Sequence, residues 1–91
     1  MQTNFLLGKL AITDGAKAAL KRLPYDLIAR HAVNEHGLIT AAERRQNELA
    51  MKTIGPIRSR YRVDPSQRSL GLVLVETDAT WSETLISLEA L

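Results

Sequence analysis

The sequence contains 91 residues with a net charge of +2, and 45% of them are hydrophobic. A chain of this length can fill one hydrophobic core, so we expect a single domain over residues 1–91. The absence of cysteine excludes disulfides and thiolate metal sites, and no apolar run approaches the roughly 18 residues that a membrane span needs. A short apolar run near the start is broken by Gly8 and Lys9, so we expect no signal peptide and a cytoplasmic protein.

A strand and two short helices are predicted in the first part of the chain. Apolar residues on alternate positions favour a strand over residues 5–12. Apolar residues at helical spacing predict a helix over residues 15–23, with Asp14 as its N-cap. Pro24 closes that helix and opens a second one, and Gly37 is expected just after the C-terminus of the second helix.

A third helix is predicted from a capping box. In the segment Thr40-Ala41-Ala42-Glu43, the threonine hydroxyl and the glutamate can each bond a backbone amide of the first turn. The helix should extend to Ile54 and end at Gly55-Pro56. Apolar spacing assigns these residues to its inner face: Ala42, Gln46, Leu49, Ala50, Thr53 and Ile54.

Residues 57–63 alternate arginines with other residues, and a period of two is typical of a strand. Arg58, Arg60 and Arg62 therefore stand in a row on one side of the predicted sheet. The other side would face the core, and it carries Ile57, Ser59, Tyr61 and Val63.

Two more strands are predicted, over residues 70–76 and 80–88. The element order β-α-α-α-β-β-β indicates an α+β domain, with three helices packed on one face of an antiparallel sheet of three to four strands. The last three strands form a meander that the first strand can join, and the last strand would be an unpaired edge unless another chain covers it. The inward positions predict the following core: Leu20, Leu23, Leu27, Ile28, Leu49, Ile57, Tyr61, Leu72 and Leu74.

The arginine row has two interpretations. Residues 40–70 carry a net charge of +4 and residues 71–91 a net charge of −4, which favours pairing within the chain. Each cross-strand pair of opposite charge would stabilise the sheet by about 0.2–1 kcal/mol. Glu76, Asp78 and Glu83 are near enough in sequence to supply the acidic partners. In the alternative, the row and Arg68 bind RNA phosphates, as basic side chains on a sheet do in small ribonuclease toxins.

Two histidines and two aromatic residues are further candidates. His31, Glu35 and His36 lie close in sequence, but a zinc site needs a third ligand at compatible spacing, so we expect no metal and a partly buried histidine bonded to a backbone carbonyl. Trp81 and Tyr61 are of types that anchor protein interfaces. Core positions are the favoured interpretation for both, while an exposed Trp81 would serve partner binding.

The chain resembles a loose group of small uncharacterised proteins from proteobacterial chromosomes, plasmids and prophages. It departs from that group at His36, where an aromatic residue is usual, and after Asp78, where an arginine is usual. The resemblance implies the fold and a bacterial or phage origin, and it transfers no chemistry. It is carried by these residues: Leu7-Gly8, Thr13-Asp14-Gly15-Ala16, Ala29-Arg30-His31, Gly37, Asn47-Glu48-Leu49-Ala50, Ser59-Arg60-Tyr61, Glu76-Thr77-Asp78 and Thr84.

No nucleophile with a neighbouring base is recognisable, so we expect neither an enzyme nor a cofactor. The favoured function is a non-catalytic protein-binding domain of phage or mobile-element origin. It would occupy a surface of a host protein, and inhibition of a host defence system is the specific form of this expectation. The alternatives are an RNA-binding or RNA-cleaving domain and a homodimer joined through the last strand.

Overall fold

The computed structural model describes residues 5–89 and has the expected α+β architecture. The predicted order of elements, β-α-α-α-β-β-β, is confirmed. Most elements are shorter than predicted, because turns occupy the ends of the predicted segments. The elements are β1 (Lys9–Ile12), α1 (Asp14–Leu20), α2 (Tyr25–Ala32), α3 (Ala41–Thr53), β2 (Ile57–Arg62), β3 (Leu72–Thr77) and β4 (Glu83–Glu89), with a 3₁₀ turn at Arg68–Leu70.

The four strands form one sheet in the order β1-β4-β3-β2. β2 and β4 both run antiparallel to β3, whereas β1 runs parallel to β4, so the sheet is mixed rather than wholly antiparallel. The backbone amides of Lys9 and Thr13 donate to carbonyls of Ser82 and Ile86, each at 2.9 Å. The expectation that the last strand is an unpaired edge is therefore wrong, because β1 covers the outer side of β4.

Two of the helices begin at threonine caps. The Thr13 hydroxyl accepts from the Ala16 amide, so Thr13, and not the predicted Asp14, is the N-cap of α1. The capping box of α3 is confirmed in both directions between Thr40 and Glu43. Within residues 5–89 no helix has the length and apolar character needed to cross a membrane.

The helices α1 and α2 cover one face of the sheet. Their buried residues pack against buried side chains of β2, β3 and β4 in the main core cluster: Ala16, Leu20, Leu27, Ile28, Tyr61, Val63, Val73, Val75 and Ile86. A second cluster joins α3 to the start of β2 and consists of Phe5, Ala50 and Ile57. The burial predicted for Leu20, Leu27, Ile28, Ile57 and Tyr61 is confirmed.

The other four predicted core residues are not buried. Leu23 follows the end of α1 and is 58% exposed, because that helix ends at Leu20. On β3 the valines at 73 and 75 face the helices, so Leu72 and Leu74 point to the opposite face. A continuous apolar run does not reveal which alternate residues face inward.

The third helix is rotated relative to the prediction, and Leu49 is 60% exposed. Its buried residues are Asn47 and Ala50. The side-chain amide of Asn47 accepts from the Arg58 amide and donates to the Arg58 carbonyl, both at 2.9 Å. The helix thus packs along the backbone of an edge strand, where a buried amide side chain fits better than a leucine.

The segment after α2 pairs with the same edge strand. Arg60 donates its amide to the His36 carbonyl and accepts from the Leu38 amide, and Gly37 forms a bridge with Arg60. A Cβ on Gly37 would lie 2.3 Å from the Arg60 carbonyl oxygen, so the close approach requires glycine. The predicted position of Gly37 just after α2 is wrong, since that helix ends at Ala32.

Candidate functional site

One face of the sheet has no described helix over it, and it carries the arginine row. We call it the open sheet face and define it by side chains that point away from α1 and α2. They are Lys9, Ala11, Arg58, Arg60, Arg62, Leu72, Leu74, Glu76, Glu83, Leu85, Ser87 and Glu89. None of these residues is buried. The face holds four basic and three acidic groups, so its net charge is close to zero.

Arg58 is held by two glutamates. Its Nε donates to Glu76 Oε2 at 2.9 Å, and its Nη2 makes a second, shorter contact with the same oxygen. Its Nη1 donates to Glu43 Oε2 at 3.2 Å. These hydrogen bonds, led by the one to Glu76, raise the pKa of Arg58.

Arg60 is held more completely, and its side chain is only 13% exposed. Nη1 and Nη2 donate to the two carboxylate oxygens of Glu43 at 2.8 and 3.0 Å. Nη1 also donates to the Leu38 carbonyl at 3.3 Å. Nε lies 2.8 Å from Glu89 Oε1, an ionic contact whose angle falls short of a hydrogen bond.

Glu43 connects the third helix to the arginine row. The Arg60 guanidinium, with the Thr40 amide and Arg58, lowers the pKa of Glu43 to about 2. The local sequence pattern around Glu43 indicates only the capping box, and nothing in it indicates the arginines 15 and 17 residues away. The sequence around Glu89 likewise does not indicate its contact with Arg60, which it makes from the far end of the last strand.

Of the predicted acidic partners, Glu76 is confirmed and the other two are wrong. Asp78 turns back on its own loop and accepts from the amide and hydroxyl of Ser82, each at 2.8 Å. Glu83 lies opposite Lys9 in the β1–β4 register, two strands away from the arginines.

The remaining candidate residues lie apart from this network. Arg62 is half-buried on β2 and Arg68 is exposed in the 3₁₀ turn, and neither forms an ion pair with any residue from 5 to 89. Trp81 is partly buried: its indole N–H donates to the Gly55 carbonyl at 2.8 Å, and its ring lies 5.8 Å from that of Phe5. It packs on the second core cluster and is not on the open sheet face.

Leucines form the centre of the open sheet face. Leu72 and Leu74 are half-exposed on β3, next to the arginine row. Leu85 on β4 is 37% exposed and lies opposite Glu76, which makes it a diagonal neighbour of Leu74. An apolar centre is therefore bordered by Arg58 and Arg60, which are paired with carboxylates, and by Arg62, which forms no ion pair among residues 5–89.

On the helix-covered side, a chain of hydrogen bonds crosses the core. The Thr84 hydroxyl donates to the Leu7 carbonyl at 2.6 Å, so the Thr77 hydroxyl must donate to Thr84, 2.7 Å away. Thr77 can then only accept from Nε2 of His31, at 2.9 Å. Because the Leu7 carbonyl can only accept, it determines which group donates and which accepts in each of the other hydrogen bonds of this chain.

The same chain fixes the protonation of His31. With its proton on Nε2, the neutral ring accepts at Nδ1 from the Ser59 hydroxyl, 2.5 Å away, and Ser59 accepts from His36 Nδ1–H at 2.6 Å. Burial, with a smaller contribution from His36, lowers the pKa of His31 to about 3. The expected backbone carbonyl partner of His31 is wrong, since its partners are hydroxyls.

This cluster places a serine between two imidazoles, which is a pattern that nucleophilic enzymes use. Here Ser59 and His31 are fully buried, and the Ser59 hydroxyl already donates to His31. In this structure the Ser59 hydroxyl is therefore not accessible to solvent. Among residues 5–89 no group of three histidine, aspartate or glutamate side chains is arranged to hold a metal ion.

Comparisons with protein-family models, with curated proteins and with solved structures gave no match to this chain. The resemblance to small proteobacterial and prophage proteins therefore stays a prediction.

Proposed function

We propose that this chain is a small non-catalytic domain that binds another protein through the open sheet face. The observation that carries the proposal is the apolar centre formed by Leu72, Leu74 and Leu85 on a sheet face that no described helix covers. Burying a fully exposed leucine contributes about 1.5–3 kcal/mol, and these three, which are already partly buried, would each contribute less. Together they form an apolar centre of the kind found in the core of an interface.

The charges around this centre favour a protein partner over a nucleic acid. Arg58 and Arg60 already hold carboxylates, and a phosphate would have to displace Glu43, whose contacts with Arg60 are largely buried. The surface of this partner protein would carry an apolar ridge and little net charge. In biological terms, we propose that the partner is a host protein. The domain would then be a cytoplasmic inhibitor of host defence that comes from a phage or another mobile element.

The test compares Leu74, a half-buried leucine of the open sheet face, with Leu49, an exposed leucine of α3. Leu74→Glu places a charge in the centre of the open sheet face, whereas Leu49→Glu places the same charge on the outer side of α3. A partner captured by the tagged wild-type chain would be identified, purified and titrated by calorimetry. We expect Leu74→Glu to weaken binding by roughly tenfold or more and Leu49→Glu to leave it nearly unchanged.

Thermal unfolding of both variants checks that each is folded. Equal affinity of the Leu74→Glu variant and the wild type for the purified partner would contradict the proposal. So would a partner whose affinity responds to Leu49→Glu instead, because that result would move the interface to α3.

A further inference from the structure

The two edges of the sheet differ in whether their outward backbone groups have hydrogen-bond partners. The outer edge of β2 is closed by side-chain and backbone partners: Asn47 bonds both backbone groups of Arg58, and residues 36–38 bond both backbone groups of Arg60. Covering an edge in this way prevents pairing with another chain. Among residues 5–89, Arg62 at the end of β2 is the one residue of this strand whose outward backbone groups have no such hydrogen-bond partner.

The outer edge of β1 has no such cover. Lys9 and Thr13 donate their amides inward to β4, and the alternation of a strand therefore directs the amides and carbonyls of Leu10 and Ile12 outward. No segment within residues 5–89 pairs with that side of β1. The Leu10 side chain is 47% exposed at the same edge.

We propose that β1 pairs antiparallel with β1 of a second copy of this chain, about a two-fold axis at Ala11. In this register each outward backbone group of Leu10 meets one of Ile12 of the partner subunit, so every outward donor finds an acceptor. The small side chain of Ala11 faces Ala11 of the partner subunit in the close, non-hydrogen-bonded type of pair.

The side chains in this register are also compatible. Leu10 lies against Ile12 of the partner subunit, an apolar pair of the kind that stabilises neighbouring strands. Lys9 lies opposite Thr13 of the partner subunit and keeps Glu83 as its own neighbour on β4, so no like charges meet. The second copy is therefore the occupant that this edge fits, and the two sheets become one continuous sheet.

The absence of cysteine gives a direct test with a single introduced thiol. In a non-hydrogen-bonded antiparallel pair the Cα atoms are about 4.5 Å apart, which lies within the range of about 4.4–6.8 Å that disulfides span. Ala11→Cys should therefore form a disulfide-linked dimer rapidly under mild oxidation. Ala18→Cys, an exposed position on α1, is the matched control and should cross-link at least about tenfold more slowly.

A second pair of variants tests the register without a covalent bond. Ala11→Lys and Ala11→Glu each place like charges face to face across the two-fold axis, so each alone should sediment as a monomer where the wild type sediments as a dimer. An equimolar mixture should recover the dimer. Wild-type chains that remain monomeric at millimolar concentration, or Ala11→Cys cross-linking no faster than Ala18→Cys, would overturn the proposal.

Discussion

Glu43 is a single carboxylate that serves three partners. One oxygen caps α3 by accepting from the Thr40 amide and also accepts from Arg60, while the other accepts from Arg60 and Arg58. A local pattern predicts the first role, because the capping box needs only a threonine and a glutamate three residues apart. The other roles depend on where the strand comes to lie, which the sequence near Glu43 does not encode.

His31 should make the stability of the protein depend on pH above the range in which carboxylates titrate. Its pKa is about 3 in the folded state and about 6.5 in the unfolded chain. The unfolded state therefore takes up the proton first as the pH falls. We expect the free energy of unfolding to decrease by about 2 kcal/mol between pH 7 and pH 5, measured by urea denaturation at each pH.

The structural reason is that a protonated His31 would need an acceptor at Nδ1, where Ser59 now donates. His36 also has a lowered pKa through burial and Arg44, and it contributes in the same direction. His31→Gln should remove most of the pH dependence, and His36→Gln a smaller part. A free energy of unfolding that is constant from pH 7 to pH 5 in the wild type would contradict this account.

At the scale of elements, α3 packs against the edge of β2 and not against a sheet face. This position explains why its inner side is Asn47 and Ala50, and why the helical pattern of apolar residues predicted the wrong rotation. Period-two and helical spacing locate elements well. They do not tell which neighbour an element packs against.

Asn47 should contribute strongly to stability although it is polar. Asn47→Ala removes both partners of the Arg58 backbone, and we expect a loss of about 2–4 kcal/mol in urea unfolding, since each unpaired buried group costs about 1–3 kcal/mol. Gln46→Ala is the matched control on the exposed side of the same helix and should stay within about 0.5 kcal/mol. A loss below about 1 kcal/mol for Asn47→Ala would mean that water replaces the amide.

Strand β3 shows what the sequence could and could not predict about the candidate site. Its existence and near-correct bounds follow from the short apolar run Leu72-Val73-Leu74-Val75, in which β-branched valines alternate with leucines. The side of the sheet to which Leu72 and Leu74 point cannot be predicted in the same way, because the alternating valines are apolar as well. The arginine row is therefore predictable from the sequence, whereas Leu72 and Leu74 beside it are predicted in the core and lie on the same face as the arginines.

For the molecule as a whole, opposite charge blocks in the sequence become contacts across the sheet. Arg58 and Arg60 of the basic middle meet Glu76 and Glu89 of the acidic end, with Glu43 between them. Two of the arginines in the row are thereby held by carboxylates of the same chain and are not free to bind a polyanion, whereas Arg62 and Arg68 form no ion pair among residues 5–89. The modest net charge of +2 points the same way.

We expect the wild-type chain to show no salt-dependent binding to a generic single-stranded RNA in fluorescence anisotropy. The joint variant Arg58→Ala, Arg60→Ala and Arg62→Ala should not differ from the wild type in this assay. If the arginines did bind phosphates, affinity would fall steeply with salt and the slope would decrease by about one per arginine removed. That pattern would support the RNA-binding alternative instead.

The parallel pairing of β1 with β4 sets an order of events during protein synthesis. Thr84 bonds the Leu7 carbonyl across 77 residues of sequence, and a ribosome that adds about 5–20 residues per second needs about 4–15 s to make them. During that time the helices and the β2–β3 hairpin can form through local contacts, whereas β1 has no strand to join. In each newly made molecule β1 therefore stays without its partner strand for seconds, until β4 has been synthesised.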